Sequence, residues 1–358
     1  MRTGLSFALL MVLGWTLSSC AQSTLVSAAD GHLLYMGRHD SLADAAVFYW
    51  PGSSVEVSFE GTGASVTLQD EKGENYYYCL VDDSVWKKLQ PSMSKDTYPI
   101  ASGLARGRHT VRLFRLTEAQ WGKTWFYGFK LQGNARLLGT RLPARKIEFY
   151  GNSITCGYAV DDTVKDSGKP EYENNYVAYG AITARHYHAA YSCVSKSGIG
   201  LMVSWFPIIM PEMYDRTNPE DSVRKWDFRN YTPDVVVINL LQNDSWLLKM
   251  HDHQQFIARF GNREPDSTQV IAAYKQFLGS IRARYPAATI ICCLGSMDAT
   301  EAGKPWTRYI QQAVQQSGDG RTLVHFFAYK HTPGHPKRAE QQAMADDLIS
   351  FIDAHVKW

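Results

Sequence analysis

Apart from one stretch near its start, the 358-residue chain lacks long apolar runs. Nothing after Leu17 approaches the roughly 20 consecutive apolar residues of a membrane-spanning helix, which argues against a body built of such helices. Charge of one sign is lacking too. The chain carries 37 Lys and Arg against 35 Asp and Glu, for a net charge of +2 and a pI near 8.1. That balance argues against nucleic acid or another polyanion as partner. Cysteine is scarce and badly spaced for cross-links or metal. Beyond Cys20 there are Cys79, Cys156, Cys193, Cys292 and Cys293, an odd number without a C-x-x-C pair. A disulfide framework and a zinc site are therefore not expected, although one isolated disulfide stays open. Internal repeats and low-complexity tracts are absent as well. What remains is ordinary globular material, 45% hydrophobic and 20% charged, at a length that favours two domains. The 20 Tyr, 15 Phe and 10 Trp are compatible with sugar-stacking surfaces, though core packing accounts for most of them.

The exceptional apolar stretch reads as a targeting signal. Met1-Arg2 gives a basic start and Leu5 to Leu17 an apolar run too short to span a bilayer comfortably. It ends in Leu17-Ser18-Ser19-Cys20, which resembles a bacterial lipobox. The resemblance implies a lipoprotein signal peptide over residues 1–20, lipidation at Cys20, and an exported protein, periplasmic or on the cell surface. Its only membrane contact would then be the lipid anchor.

The body falls into two halves with different hydrophobic periods. From about Gly31 to Gln132, short alternating runs such as Val55-Val57-Phe59, Val66-Leu68 and His109–Leu116 are broken by turn residues. This predicts an antiparallel sandwich or jelly roll over residues 31–138, followed by a linker within Gly133–Pro143. After Arg145 the period changes. Apolar runs at Lys146–Tyr150, Ala189–Val194, Asp234–Leu240, Ala288–Leu294 and Thr322–Phe327 alternate with helical patterns at Asn174–His188, Gln269–Tyr285, Trp306–Gln316 and Arg338–His355. Apolar strands separated by helices predict a three-layer α/β domain with a parallel sheet over residues 146–358.

In such a sheet, ligands bind beyond the carboxyl ends of the strands. The residues there are Gly151-Asn152-Ser153, Ser197-Gly198-Ile199-Gly200, Gln242-Asn243-Asp244, Ser296-Met297-Asp298, and the two imidazoles His331 and His335. They are the parts of an acyl-transfer site. A serine hydroxyl needs a base to become a nucleophile, and histidine titrates near neutrality. An oxyanion needs donors, which the backbone N–H groups of Ser153 and Gly198 and the Asn243 amide can supply. On the first block alone, Ser153 as a helix N-cap is an equally good reading.

Four blocks in this order resemble the SGNH (GDSL-type) hydrolase superfamily. They are G-N-S-I-T-C-G-Y at Gly151–Tyr158, S-G-I-G at Ser197–Gly200, Q-N-D at Gln242–Asp244 and G-H-P at Gly334–Pro336. With the preceding W-P-G-S-S-V-E-V-S-F-E-G-T-G (Trp50–Gly63) and G-R-H-T-V-R-L (Gly107–Leu113), the chain is similar to carbohydrate esterase family two over nearly its whole length. The resemblance implies a flavodoxin-like catalytic domain and a serine esterase that removes O-acetyl groups from xylan or mannan-type hemicellulose. Ser153 is the implied nucleophile and His335 the base, Ser153, Gly198 and Asn243 form the oxyanion hole, and no metal or organic cofactor is required. Gly200 competes with Gly198, and His331 with His335. Alternatives are an esterase for another acylated glycan and a non-catalytic glycan-binding lipoprotein. Neither the oligomeric state nor glycan binding by the β domain is legible.

Three departures from the family pattern stand out. Asn152 replaces the usual Asp, Leu241 stands where the third block normally has glycine, and Thr332 and Pro333 occupy the places of the acid that orients the histidine. Either a backbone carbonyl orients His335, giving a dyad, or an acid arrives from elsewhere, for which Asp298 is the candidate. Two further patterns are set aside. His251-Asp252-His253 lacks further ligands for a metal, and Tyr76-Tyr77-Tyr78 lies on a strand whose side chains alternate between faces.

Overall fold

Two sheets organise the chain in the computed structural model, which describes residues 23–358; the expected signal peptide over residues 1–20, with Cys20, lies outside them. The first sheet has ten antiparallel strands. Its frame is a pair of long strands, Ser54–Asp70 and Asp96–Arg115, bonded to each other along most of their length. The runs Val55–Phe59 and Val66–Leu68, expected as separate strands, are one strand with register shifts at Gly61/Gly63 and Ala64/Ser65. The reason is local. A Cβ at Gly61 would come 2.6 Å from the Gln132 carbonyl, and one at Gly63 2.7 Å from that of Ala101. The glycines thus permit a bulge where a turn was expected. Part of the expected linker also pairs, Arg136–Leu138 against Glu60–Ser58.

The second sheet is parallel, with strands Lys146–Gly151, Ala190–Ser195, Val235–Asn239, Thr289–Leu294 and Thr322–Phe326. In space the second strand lies beside the first, then come the third, fourth and fifth. The order reverses between the first and third strands, so the crevice there opens beyond Gly151 and Asn239. Alternate residues face opposite layers, and both layers are covered by helices. Val236, Ile238 and Cys292 pack with Phe277, Ile281 and Ile310 on one side. Val235, Val237 and Cys293 pack with Tyr179, Met344, Leu348 and Ile352 on the other. Cys292 and Cys293 therefore serve two different cores as small hydrophobes, and the five cysteines of the described residues are all free.

The two domains share these cores. Val47, Tyr49 and Trp50 of the β domain join the first, and Leu80, Phe114 and Leu116 the second. The Trp50 indole donates to the Thr217 carbonyl at 2.6 Å. Buried Arg38 donates to the Tyr214 carbonyl at 2.6 Å and to the Tyr150 hydroxyl at 3.0 Å. An interface this apolar and this well bonded fixes the domains against each other.

Candidate active site

The first parallel strand stops at Gly151 because the chain turns sharply into the short helix Ser153–Cys156. A Cβ on Gly151 would overlap the Thr155 hydroxyl at 2.0 Å. The helix is capped by Asn152, whose Oδ1 accepts from the Ile154 N–H at 3.1 Å. Capping is thus Asn152's task, and Ser153 is left free for another. Beneath the helix, the Asn175 amide donates to the carbonyls of Thr155 and Cys156 at 3.0 and 3.1 Å. The helix expected from Asn174 begins only at Tyr179, because Ala178 is extended with φ −74° and ψ 149° and separates it from the single turn Asn175–Val177.

Ser153 is 7% exposed, and its Oγ lies 2.8 Å from His335 Nε2. His335 sits between the fifth strand and the helix Arg338–His355. Its Nδ1 lies 2.6 Å from Asp166 Oδ2, and its backbone N–H donates to the same oxygen at 2.7 Å. The Lys337 ammonium donates to the other oxygen, Oδ1, at 2.7 Å. Partial burial raises the Asp166 carboxyl, but the bonds from His335 and Lys337 outweigh it and hold the group well below the usual carboxylate range. An ionised carboxylate only accepts, so Nδ1 must carry the imidazole proton. Nε2 is then the acceptor for the Ser153 hydroxyl.

Asp166 replaces Asp298 as the acid at the imidazole. Asp298 is engaged elsewhere: its Oδ1 accepts from Gln242 Nε2 and Trp246 Nε1, both at 2.9 Å, and its Oδ2 meets Lys304 Nζ at 2.8 Å. Asp166 comes from the loop between Asp161 and Tyr172. The Asp162 carboxylate shapes that loop by accepting the N–H groups of Val164, Lys165 and Ser167 at 2.9–3.1 Å. Lys88 of the β domain ties its far end through the Glu171 carbonyl at 2.6 Å.

Gly334 completes the contact. Its φ is +72°, and a Cβ there would lie 2.9 Å from Asp166 Oδ2. Gly334→Ala is expected to push the carboxylate away from His335 and lower kcat about 10–100-fold while the chain stays folded. Steady-state kinetics alongside circular dichroism would check this. His331, the rival imidazole, instead packs tilted against the Tyr329 ring, with centroids 4.5 Å apart.

Beyond the second parallel strand, Lys196–Ile199 forms a turn closed by the Ile199 N–H on the Lys196 carbonyl at 3.2 Å. Gly198 occupies its third position with φ +82°, the place where such a turn demands glycine. The Gly198 N–H has no acceptor among the described residues, whereas the Gly200 N–H is bound to Ser204 Oγ at 2.9 Å. The Asn243 amide is fixed at both ends. Its oxygen accepts from the Trp205 indole at 3.0 Å, and its nitrogen donates one hydrogen to the Ile199 carbonyl at 2.8 Å, leaving the second. Asp244, collected at the strand end without a role, gathers the N–H groups of Leu201, Met202 and Val203 at 2.7–3.2 Å. It thereby locks the loop beyond Gly198 to the short helix Gln242–Leu247 that follows the third strand.

Leu241 adopts the left-handed backbone its glycine counterpart would, with φ +85°, and is 0% exposed. That conformation costs a leucine about 1–2 kcal/mol. Burying the side chain contributes about 1.5–3 kcal/mol, which offsets it, so the turn is preserved with leucine in place.

Comparison with known proteins places the chain in a family. Residues 35–140 match the carbohydrate esterase 2 N-terminal family, and residues 149–354 the GDSL-like lipase/acylhydrolase family. The cellulase/esterase CelE of Acetivibrio thermocellus is 36% identical over 344 residues, 91% of this chain, but the chain spans only 40% of that protein. An acetylxylan esterase / glucomannan deacetylase of Cellvibrio japonicus is 26% identical over 99% of both chains. The solved structure of a family two carbohydrate esterase from Clostridium thermocellum in complex with cellohexaose superposes with a TM-score of 0.79. It is 36% identical, over 90% of this chain and 98% of that one. With its fold, its four strand-end blocks and these relatives taken together, the chain belongs to the GDSL-like acylhydrolases and, among them, to carbohydrate esterase family two.

Proposed function

We propose that this chain is a serine esterase that removes O-acetyl groups from xylan or mannan-type hemicellulose. The observation that carries the proposal is the line of contacts Ser153 Oγ–His335 Nε2–Asp166 Oδ2 at 2.8 and 2.6 Å. Ser153 Oγ attacks the acetyl carbonyl carbon as its proton passes to His335 Nε2. The carbonyl oxygen becomes an oxyanion, for which the N–H groups of Ser153 and Gly198 and the remaining Asn243 hydrogen are the donors. The intermediate collapses, and the sugar oxygen leaves with the proton from His335. Water, deprotonated by the same imidazole, then attacks the acetyl-serine, and the imidazolium returns the proton to Ser153 Oγ as acetate leaves. Asp166 holds the imidazole in the required tautomer and stabilises the imidazolium formed in each half-reaction.

A carbohydrate substrate is supported by the surface beside Asn243. Trp205, 42% exposed, leads into a trough of about 600 Å³ whose walls include Trp246, Trp306 and Tyr309. Aromatic faces of this kind match the apolar faces of sugar rings. The names of the Cellvibrio relatives supply the acetyl ester and the two polysaccharide classes. Export by lipidation at Cys20 would place such an enzyme where polysaccharide is met. The test is acetate release from acetylated xylan, acetylated glucomannan and an aryl acetate. Release from at least one polysaccharide is expected; activity on the aryl acetate alone would overturn the substrate class.

A further inference from the structure

The geometry points to Glu118, carried by the β domain, as a positioning residue for the oxyanion hole of the catalytic domain. This rests on the esterase reading above. Glu118 is 1% exposed, and its Oε2 accepts the Ser197 N–H at 2.7 Å. Ser197 is the residue immediately before Gly198, in the turn that leaves the Gly198 N–H without an acceptor among the described residues. Other bonds hold that turn as well: the closing bond from Ile199 to Lys196, the Trp205 N–H on the Gly198 carbonyl at 3.1 Å, the Lys196 N–H on the Gly151 carbonyl at 3.3 Å and the Asn243 amide on the Ile199 carbonyl at 2.8 Å. All of these come from the catalytic domain. Glu118 is the tether from the other domain, and it fixes the peptide that precedes the free donor.

Glu118 is itself immobilised. Its carbonyl accepts from buried Arg115 at 3.1 Å, its Oε1 from Gln120 at 3.1 Å, and its N–H donates to Glu173 Oε2 at 3.1 Å. Glu173 lies on the catalytic-domain chain and also takes the Trp121 indole at 2.8 Å. Two buried carboxyl groups side by side at a domain seam are costly. Burial and the neighbouring Glu118 push the Glu173 carboxyl well above the usual range. Apolar packing alone would join the domains at less cost. What this pair adds is directional: an acceptor aimed at one N–H beside Gly198, held in a fixed frame. The β domain is in this view a component of the active site, whether or not it also binds glycan.

The test is kinetic, on the full chain with an aryl acetate and an acetylated polysaccharide, for Glu118→Gln, Glu118→Asp and Glu118→Ala beside Ser153→Ala. Gln keeps an oxygen at the right reach and is expected to retain kcat within about threefold. Asp and Ala withdraw the acceptor and are expected to lower kcat about 10–100-fold with KM nearly unchanged, since only the transition-state oxyanion senses the donor. Asp and Ala variants at parental kcat, a change confined to KM, or a loss that merely follows the folded fraction by circular dichroism would overturn the inference. Should the Ala variant fail to fold, the Asp and Gln pair decides alone. A parent without activity would overturn the esterase reading and this inference together. An active parent, a dead Ser153→Ala and an unaffected Glu118→Asp would overturn only the latter.

Discussion

Asp166→Asn is expected to lower kcat by about 10²–10⁴-fold with little change in KM. The size follows from the two sides of that carboxylate. Oδ2 receives two N–H groups of His335, and Oδ1 receives the Lys337 ammonium. An asparagine amide has one acceptor and one donor. If its oxygen faces His335, its NH₂ confronts Lys337; if it faces Lys337, the NH₂ confronts Nδ1–H and favours the wrong tautomer. In either setting the negative charge that stabilises the imidazolium is gone. Steady-state kinetics on an aryl acetate, with the melting temperature as control, reads this directly. A variant with parental kcat would show that the backbone alone orients His335 and that the site works as a dyad.

The second large effect concerns the pair itself. Ser153→Ala and His335→Ala are each expected to lower kcat by at least about 10⁴-fold, and the double variant by hardly more, because the two side chains act as one unit. Losses that multiplied in the double variant would contradict a shared proton path between Ser153 and His335. Acetate release measured for the three variants on one polysaccharide settles the comparison.

Much of this site is legible in the sequence for a physical reason. Parallel strands buried on both faces announce themselves as apolar runs, and the chemistry of such sheets sits at their ends. Ser153, Gly198, Gly200, Asn243, His331 and His335 could therefore be collected without knowing how the chain folds between them, and the resemblance to the SGNH blocks chose Ser153, Gly198, Asn243 and His335 among them. Asp166 could not. It belongs to an irregular loop with no period, 169 residues from His335 in sequence. The only local signs are the turn-forming D-D-T-V-K-D-S-G-K-P run and the glycine before His335, whose missing Cβ makes room for a carboxylate. Asp298 looked preferable because it follows a strand, yet the demands of Gln242, Trp246 and Lys304 claim it. Glu118 was invisible for a different reason: its partner lies in the other domain, and no pattern within one domain reports such a contact. In the β domain, Gly61 and Gly63 read as a break between strands because a bulge and a turn draw on the same residue.

The central claim is that the Ser153 hydroxyl, activated by His335, takes the acetyl group. The most direct measurement is acid-quenched reaction with an activated aryl acetate, followed by peptide mass mapping. One acetyl group on the peptide containing Ser153, appearing in the parent and absent from Ser153→Ala, is the predicted result. Turnover without any acetylated peptide, or acetyl on another residue while Ser153→Ala still turns over, would contradict it.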